Sequence, residues 1–402
     1  MYIDSILDRE SLSLVEASRD GSRHVYFKGI SELHNLVNFE SIDRFLNVKE
    51  GQLHEFVRVH GGSGETVIPS STRFSTKSQK ATISQAYLSG STVLVSKLEV
   101  SEPQIAGICR ELEARWGGKS TAKAFATMAG NDGFATHLDV EAALIVQLSG
   151  NKRWKLYEQM MRYPLHLMNR DITRDPSLRQ VDEITLNPGD VLFIPPGVPH
   201  SASCSTEHSL HVTITVSAFT CADLINFLAV AHSQDTEALR AHIYLNDDHL
   251  VAFAEKGISR FIEQLSNVDV RKLAAAYARA VNAARQDHDD RSLTDISKLN
   301  VIDCDTLVFR NKQNLTTCVD GGDKIFLYLS GTISPDKSLI PKPAHLNLPA
   351  SAAEELHHLI NMEGGVLVRD IPGKLDSSSK VLLVRELVKH RILTMSIGRQ
   401  VN

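Results

Sequence analysis

The chain has 402 residues, a formal net charge of −5 and an apolar fraction of 42%. This length exceeds the usual size of one domain and predicts two or three domains. The acidic balance excludes a broad electrostatic attraction to nucleic acid, and no apolar run reaches the roughly 18 residues that suggest a membrane span. The first residues carry acidic side chains and lack the pattern of a signal peptide, so we expect a soluble, cytoplasmic protein with no membrane partner.

The cysteines give no sign of a disulfide framework. The chain has five of them, and no two form a CxxC pair. Disulfide scaffolds and thiolate zinc sites use closely spaced cysteines. We therefore expect reduced thiols.

The first part of the chain mixes short helical and strand-like segments. Ser41 is a candidate cap for a short helix at 41–48, and residues 89–100 alternate as in a strand. Apolar residues recur at helical spacing over 103–119, and this segment ends on a glycine pair. That pattern predicts a helix with a glycine stop.

The middle of the chain is rich in β-like segments. Between about 122 and 220, short apolar runs alternate with Gly, Pro and Asn. This rhythm predicts an antiparallel barrel or sandwich. Residues 222–290 then have helical period and composition, and 291–402 mix strands and helices as a small α+β module.

One motif in the β-rich region suggests a metal site. His137 and Asp139 stand two positions apart in GFATHLDVEAALIVQLSGNKRWKLY (133–157), so in a strand they project from one face. A carboxylate inside a barrel is costly unless it is paired or binds a metal. His200, at the end of LNPGDVLFIPPGVPH (186–200), is the best third ligand. Two histidines and one carboxylate form the facial triad of non-haem iron oxygenases, which leaves positions open for co-substrate and dioxygen.

Other interpretations compete with this one. An HxD pair often occurs by chance, and an isolated histidine is more commonly a hydrogen-bonded residue than a ligand. His208 and His211 compete with His200 for the third position. They lie on a predicted strand at an odd offset and therefore face opposite ways, so His200 is preferred.

A basic cluster follows the metal motif. Lys152 comes directly after a Ser-Gly-Asn turn signal, and a hairpin there would return its ammonium beside the metal-bearing strand. It would then be within reach of a bound dicarboxylic acid. The alternative is that Lys152, Arg153 and Lys155 form a solvated hairpin tip.

These segments together resemble a known family. GFATHLDVEAALIVQLSGNKRWKLY, with LNPGDVLFIPPGVPHSAS and HSLHVTITVSAF, is similar to the ribosomal-oxygenase group of JmjC-type cupins, which are Fe(II)- and 2-oxoglutarate-dependent hydroxylases. The resemblance implies that His137, Asp139 and His200 bind iron. It also implies that Lys152 pairs with the distal carboxylate of 2-oxoglutarate and that Thr213 offers a hydroxyl to the same group.

The resemblance also implies an architecture. The fold class is α+β, with a double-stranded β-helix of the jelly-roll, JmjC cupin type and its lead-in at 1–221. A helical dimerisation region follows at 222–290, and a winged-helix-like module at 291–402. Residues 291–402 contain 14 Lys and Arg against 12 Asp and Glu, so we expect no nucleic-acid binding there.

Two positions and one loop depart from the family pattern. Where the family tends to have Asn-x-Tyr, this chain has Lys123 and Phe125, and the usual TPPGSQGF-like loop is TMAGNDGF at 127–134. Lys123 and Phe125 remain candidates for the co-substrate pocket. Lys123 alternatively serves an acidic substrate or reaches solvent at a strand end.

The function implied is hydroxylation of a side chain of a protein, often a ribosomal one, by a homodimer. Three alternatives stay open: a tailoring hydroxylase of a peptide or small metabolite, a non-catalytic cupin that only binds, and a lysine demethylase. All but the binding module would use the same cofactor, Fe(II), and the same co-substrate.

Overall fold

The structure is a computed structural model of the chain. It describes residues 2–396 except 36, 62–63, 67, 69–77, 130–134, 166–171, 173, 234–235, 243–249, 284–291, 313, 315 and 334–342. The chain divides into two compact units, Met1–Ala218 and Phe219–Asn402. The expected three-part division at 221 and 290 stays a prediction.

Helices in the first unit largely precede its long strands. They are α1 (Arg9–Ser18), α2 (Phe39–Val48), α3 (Leu53–Phe56), α4 (Gln79–Leu88) and α5 (Pro103–Trp116).

The helix ends follow from local chemistry. Helix α2 is capped by Asn38, whose side chain accepts from the N–H of Ser41 while the Ser41 hydroxyl accepts from the N–H of Asn38. Ser41 is therefore not the cap, because it lies one turn inside the helix as the reciprocal partner. Helix α5 ends, as predicted, at Gly117, which adopts a positive φ of 72°.

The strands of the first unit form one antiparallel sheet. They are β1 (Val25–Phe27), β2 (Val57–Gly61), β3 (Gly64–Thr66), β4 (Thr92–Ser96), β5 (Lys119–Met128), β6 (Ala142–Tyr157), β7 (Gln180–Leu186), β8 (Val191–Ile194) and β9 (His200–Ser217). The order is β1-β8-β6-β9-β5-β4-β2-β3, and β7 pairs with β6. The strand expected over 89–100 is shorter, because a 3-10 turn replaces it at Leu98–Val100.

Strand β6 corrects the predicted hairpin. The chain does not reverse at the Ser-Gly-Asn signal, since β6 runs through it for 16 residues and pairs with β9 on both sides. Gly150 instead lies at a β-bulge with φ of 59°, where an added Cβ would approach the carbonyl oxygen of His208 to 1.9 Å. The glycine that the sequence suggested for a turn instead allows the backbone of β6 to approach the backbone of β9 closely.

Both faces of β6 are buried over residues 142–148. Leu144 and Val146 belong to the larger apolar core, which also contains Phe45 of α2 and Leu112 of α5. Ile145 points to a second core with Trp154, Leu156 and Leu192. The apolar run therefore reflects a strand between two packed layers, one of them made by the helices.

The second unit has helices followed by two small sheets. Its helices are α6 (Cys221–Ser233), α7 (Glu237–Arg240), α8 (Leu250–Ser266), α9 (Val270–Ala283), α10 (Ser292–Ile296), α11 (Ala353–Asn361) and α12 (Ser377–Lys389). Its strands are β10 (Leu307–Arg310), β11 (Thr317–Asp320), β12 (Lys324–Ile333), β13 (Pro343–Pro349), β14 (Gly365–Leu367) and β15 (Leu393–Ser396). The antiparallel sheets are β14-β10-β15 and β11-β12-β13, and they share an apolar core with α11 and α12.

Two expectations from composition can be compared with the structure. All five cysteines lie within the described residues and are thiols, none in a disulfide. Among the described helices, none has the length and hydrophobicity that crossing a bilayer requires.

Candidate active site

Two histidines and an aspartate meet at the start of β9. His137 forms an isolated β-bridge with His200: the N–H of His137 donates to the His200 carbonyl at 3.1 Å, and the N–H of His200 donates back at 2.8 Å. The carbonyl of Asp139 accepts from the N–H of Gly197 at 2.8 Å. The HxD segment is thus a single bridge and not the regular strand that the sequence suggested, but backbone bonds still fix both of its side chains against His200.

The three side chains converge on one point. The Nε2 atom of His137 lies 3.8 Å from Oδ1 of Asp139, and Nε2 of His200 lies 3.6 Å from Oδ2 of the same carboxylate. One ligand atom from each residue lies within 4.8 Å of the other two. This mixed nitrogen and oxygen set, at a spacing that one ion can bridge, fits a divalent transition metal.

Backbone carbonyls orient both imidazoles. Nδ1 of His137 lies 2.8 Å from the carbonyl oxygen of Ala135, and Nδ1 of His200 lies 3.0 Å from that of Val198. A carbonyl only accepts, so each Nδ1 carries the hydrogen and each Nε2 keeps its lone pair. That tautomer presents both Nε2 atoms as ligands, in the arrangement that metal-binding histidines usually show.

Burial keeps His200 neutral. Its removal from water, with the nearby His137 as a second cause, lowers the pKa of His200 to about 4, while Asp139 acts in the opposite direction. A neutral imidazole is the form that binds a metal. His200 therefore needs no proton loss near neutral pH before it can bind a metal.

A cavity of about 510 Å³ opens beside the cluster. Its wall includes all seven residues that the sequence suggested for the site. These are His137, Asp139 and His200 together with Lys123, Phe125, Lys152 and Thr213. Antiparallel pairing explains the grouping on one wall, because Lys123 of β5 stands opposite Thr213 of β9.

Lys152 is buried in this wall. It is 2% exposed, and its ammonium donates to the hydroxyl of Thr127 at 3.0 Å. Arg153 and Lys155 on the same strand are exposed. Desolvation lowers the pKa of Lys152 to about 8, with Cys204 raising it slightly. The ammonium therefore remains mostly charged at neutral pH although it is buried in the cavity wall.

The cavity also contains a residue that sequence reasoning set aside. His211 lines the wall, 2% exposed, and its ring stacks on Phe125 with centroids 4.8 Å apart and planes 3° apart. His208 instead contacts Ser149 and Phe39. The odd offset between the two histidines did predict that they face differently, but it carried no signal for which of them faces the cavity.

The structure describes only part of the altered loop at 127–134. Thr127 and Met128 end β5, whereas residues 130–134 lie outside the described residues. The expectation that this loop bears on the substrate therefore stays a prediction.

Comparison with known proteins finds similarity to proteins with a JmjC domain. Residues 94–224 match the JmjC domain. The chain is 28% identical over 193 residues to ribosomal oxygenase 1 of Danio rerio, a match that covers 47% of this chain and 34% of that protein. It is 36% identical over 135 residues to the bifunctional lysine-specific demethylase and histidyl-hydroxylase NO66 of Aedes aegypti, covering 31% and 21%. The chain therefore spans about a third or less of these relatives.

Solved structures share the fold over nearly the whole chain. Escherichia coli YcfD superposes with a TM-score of 0.58 at 16% identity, covering 96% of this chain and 98% of that one. YcfD described as a ribosomal oxygenase in complex with cobalt and 2-oxoglutarate gives 0.53 at 14% identity, covering 93% and 95%. The large antiparallel sheet with its helices is thus a JmjC cupin fold of mixed α and β content.

Proposed function

We propose that the protein is an Fe(II)- and 2-oxoglutarate-dependent hydroxylase of a protein side chain, because residues 94–224 match the JmjC domain and ribosomal oxygenases are among the similar proteins. One observation carries the proposal. His137, Asp139 and His200 converge on one point in a cavity whose wall also holds the buried ammonium of Lys152. This arrangement suits a keto-diacid such as 2-oxoglutarate, because its keto-acid end can bind the metal and its distal carboxylate can pair with the ammonium.

The triad would hold the iron and leave part of its coordination sphere open. Two imidazole nitrogens and one carboxylate oxygen supply three ligands on one side, which is the arrangement of non-haem iron oxygenases. When bound, iron and 2-oxoglutarate would supply the oxidising chemistry with dioxygen as the oxidant: one oxygen atom is inserted into a C–H bond of the substrate, and the other enters succinate as carbon dioxide leaves. The protein contributes orientation, charge and exclusion of water.

The wall of the cavity would position the co-substrate. The ammonium of Lys152 would pair with the distal carboxylate, and the hydroxyl of Thr213 would donate to it; both residues line the cavity. Phe125 offers a flat apolar surface without a hydroxyl, so polar recognition falls to other residues. Lys123, half-buried on the same wall, is a second cation for the co-substrate or for an acidic group of the substrate.

A ribosomal protein is the first candidate for the substrate. The relatives whose sequences match are ribosomal oxygenases and a histidyl-hydroxylase, and the solved neighbour YcfD is described as a ribosomal oxygenase in complex with 2-oxoglutarate. These names belong to those proteins, and their extension to this chain is our proposal.

An assay with purified components tests it. The protein is incubated with Fe(II), 2-oxoglutarate and ribosomal-protein fragments, and products are followed by mass spectrometry and succinate release. A gain of one oxygen atom, absent with His137→Ala, is the expected result. Oxidation of small peptides or metabolites alone would indicate a tailoring hydroxylase, loss of methyl groups a demethylase, and no succinate with any acceptor a binding module.

We further propose that helices α6, α8 and α9 form a homodimer interface. Ile258, Ile262 and Leu265 recur at spacings of four and three residues along α8 and are 59%, 57% and 39% exposed. An apolar stripe of this kind is costly to leave in water. Light scattering should show a dimer that Ile258→Glu with Ile262→Glu converts to a monomer.

We also propose that β10, β14, β15 and the helices α11 and α12 form a winged-helix-like module in a cytoplasmic protein. Three short antiparallel strands packed on two helices support this comparison. The formal excess of two positive charges over 291–402 favours a structural role over nucleic-acid binding. Fluorescence anisotropy with duplex DNA and with RNA should show no specific binding, and cell fractionation tests the location.

A further inference from the structure

His211 is buried in the cavity wall in a defined orientation. On β9 it stands opposite Phe125 of β5 and Gln147 of β6. Its ring lies flat on Phe125 and meets the edge of Trp154, with centroids 5.5 Å apart and planes at 77°. Thr213, two residues further along β9, lines the same cavity. Packing on two sides therefore fixes the imidazole beside the residue proposed to contact the co-substrate.

Two buried polar atoms in this part of the wall lack hydrogen-bond partners. Among the described residues, Nδ1 of His211 and Nε1 of Trp154 are buried and have no hydrogen-bond partner. An unpaired buried polar group costs about 1–3 kcal/mol, and such groups in native proteins call for an explanation. Two of them, adjacent on the wall of one cavity, indicate that a ligand with acceptor atoms completes the site.

The protonation state of His211 sets what it can offer. Burial, and next the charge of Lys152, lower the pKa of His211 well below its ordinary value. The ring is therefore neutral and carries one N–H donor. A neutral donor beside an ammonium suits a carboxylate, because both groups can bind its oxygens without repelling each other.

We propose that the ring N–H of His211 donates a hydrogen bond to the distal carboxylate of 2-oxoglutarate and, with Lys152, selects a dicarboxylic co-substrate. This inference rests on the proposed function of the site. His211 is then a specificity-determining residue of the co-substrate pocket rather than a spare metal ligand. Its stacking on Phe125 holds the ring in the orientation that the carboxylate requires.

Binding measurements separate recognition from structure. The protein is loaded with Mn(II) and titrated by calorimetry with 2-oxoglutarate and with 2-oxopentanoate, which has the same chain length and no distal carboxylate. His211→Phe keeps the ring and its stacking but removes the N–H. We expect roughly 10- to 100-fold weaker binding of 2-oxoglutarate and unchanged binding of 2-oxopentanoate. His208→Phe, on the same strand but outside the described cavity wall, is the matched control.

The outcomes distinguish this inference from the proposed function. If the wild-type protein binds 2-oxoglutarate and His211→Phe binds it equally well, or loses both ligands alike, His211 does not recognise the carboxylate. If the wild type fails to bind 2-oxoglutarate, the proposed function and this inference both fail.

A crystal structure of the wild type with Mn(II) and 2-oxoglutarate gives a test that needs no variant. It decides the question if His211→Phe does not fold or if 2-oxopentanoate binds too weakly to measure. A ring nitrogen of His211 within about 3.2 Å of a distal carboxylate oxygen supports the inference. A ring nitrogen beyond hydrogen-bond reach of that group overturns it.

Discussion

The ammonium nitrogen of Lys152 lies 3.0 Å from the hydroxyl oxygen of Thr127, which lies 3.1 Å from the hydroxyl of Thr92. A lysine ammonium only donates, so Thr127 accepts from it and can pass its own hydrogen to Thr92. Strands β4 and β5 thereby fix the position of a cation that belongs to β6. Both threonines are buried, so water does not replace either contact.

Loss of this hydrogen bond should weaken co-substrate binding. Thr127→Val removes the acceptor and keeps the shape, and a hydrogen bond of this kind contributes about 0.5–1.5 kcal/mol. We expect roughly 3- to 10-fold weaker binding of 2-oxoglutarate by calorimetry with Mn(II). Thr127→Ser keeps the hydroxyl and serves as the control. Equal affinity of the valine and serine variants would mean that Thr127 does not position Lys152.

The buried charge of Lys152 should lower the free energy of unfolding of the protein. Its pKa of about 8 lies below the ordinary value of 10.5 because burial disfavours the charge. We expect Lys152→Met to raise the free energy of unfolding in urea by about 1–3 kcal/mol at pH 7 while removing 2-oxoglutarate binding. The exposed Lys155→Met is the control, with no change in either quantity expected.

The same pKa fixes how this difference depends on pH. Below about pH 8 the lysine is charged in both the folded and the unfolded protein, so the stability difference is fully present. From about pH 8 to the ordinary value of 10.5 the folded protein loses the proton first, and the difference shrinks. A difference that grows with rising pH over this range would contradict the assignment.

Co-substrate affinity should follow the charge of Lys152. The ammonium binds the carboxylate only when protonated, so the affinity of the free protein for 2-oxoglutarate should be constant below about pH 8 and fall by about tenfold per unit above it. Lys152→Arg keeps its charge throughout. Whatever its absolute affinity, its profile should stay flat where that of the wild type falls. Parallel profiles would assign the pH dependence to another group.

The metal site should depend on all three ligands. Asp139→Ala removes the carboxylate whose Oδ1 lies 3.8 Å from Nε2 of His137 and whose Oδ2 lies 3.6 Å from Nε2 of His200. We expect the affinity for Mn(II), measured by electron paramagnetic resonance, to fall at least about 100-fold. His208→Ala removes a histidine outside the cluster and should bind Mn(II) like the wild type. Retained binding in Asp139→Ala would exclude this carboxylate as a ligand.

Gly150 should tolerate no side chain. Gly150→Ala combines a positive φ of 59° with a Cβ only 1.9 Å from a carbonyl oxygen, so we expect a loss of more than about 3 kcal/mol in the free energy of unfolding. Gly29 has nearly the same φ, 63°, and nothing within 4 Å of the added Cβ. Gly29→Ala should therefore cost only about 1 kcal/mol. Equal losses would mean that the close approach to β9 is unimportant.

The sequence predicted the cluster of His137, Asp139 and His200 because the chemistry of these residues is recognisable locally. An imidazole, a carboxylate two residues later and a histidine delivered by a Pro-Gly turn are recognisable without knowing which strands pair. The bulge at Gly150 was not predictable in this way, because Ser-Gly-Asn suits a two-residue turn equally well. The bulge forms instead of a turn because β9, a strand more than 40 residues distant in sequence, holds β6 extended by hydrogen bonds on both sides of Gly150.

The position of His211 in the cavity wall likewise could not be predicted from the sequence. Strand periodicity established that it and His208 face opposite ways, but the wall that each one faces is set by pairing with β5 and β6. In the second unit, the sequence predicted a mixture of strands and helices, but the division of the strands into two sheets depends on which strands pair.

The bulge in β6 also changes which positions of the strand point inward. Before it the cavity side is taken by odd-numbered residues, Ala143 and Ile145, and after it by even-numbered ones, Lys152 and Trp154. A perfectly alternating strand would turn Arg153 toward the cavity and leave the lysine in water. The bulge thus determines which residues of the strand face the cavity. Deleting a single residue at the bulge would turn Arg153 toward the cavity and Lys152 toward solvent, although neither of these residues is itself substituted.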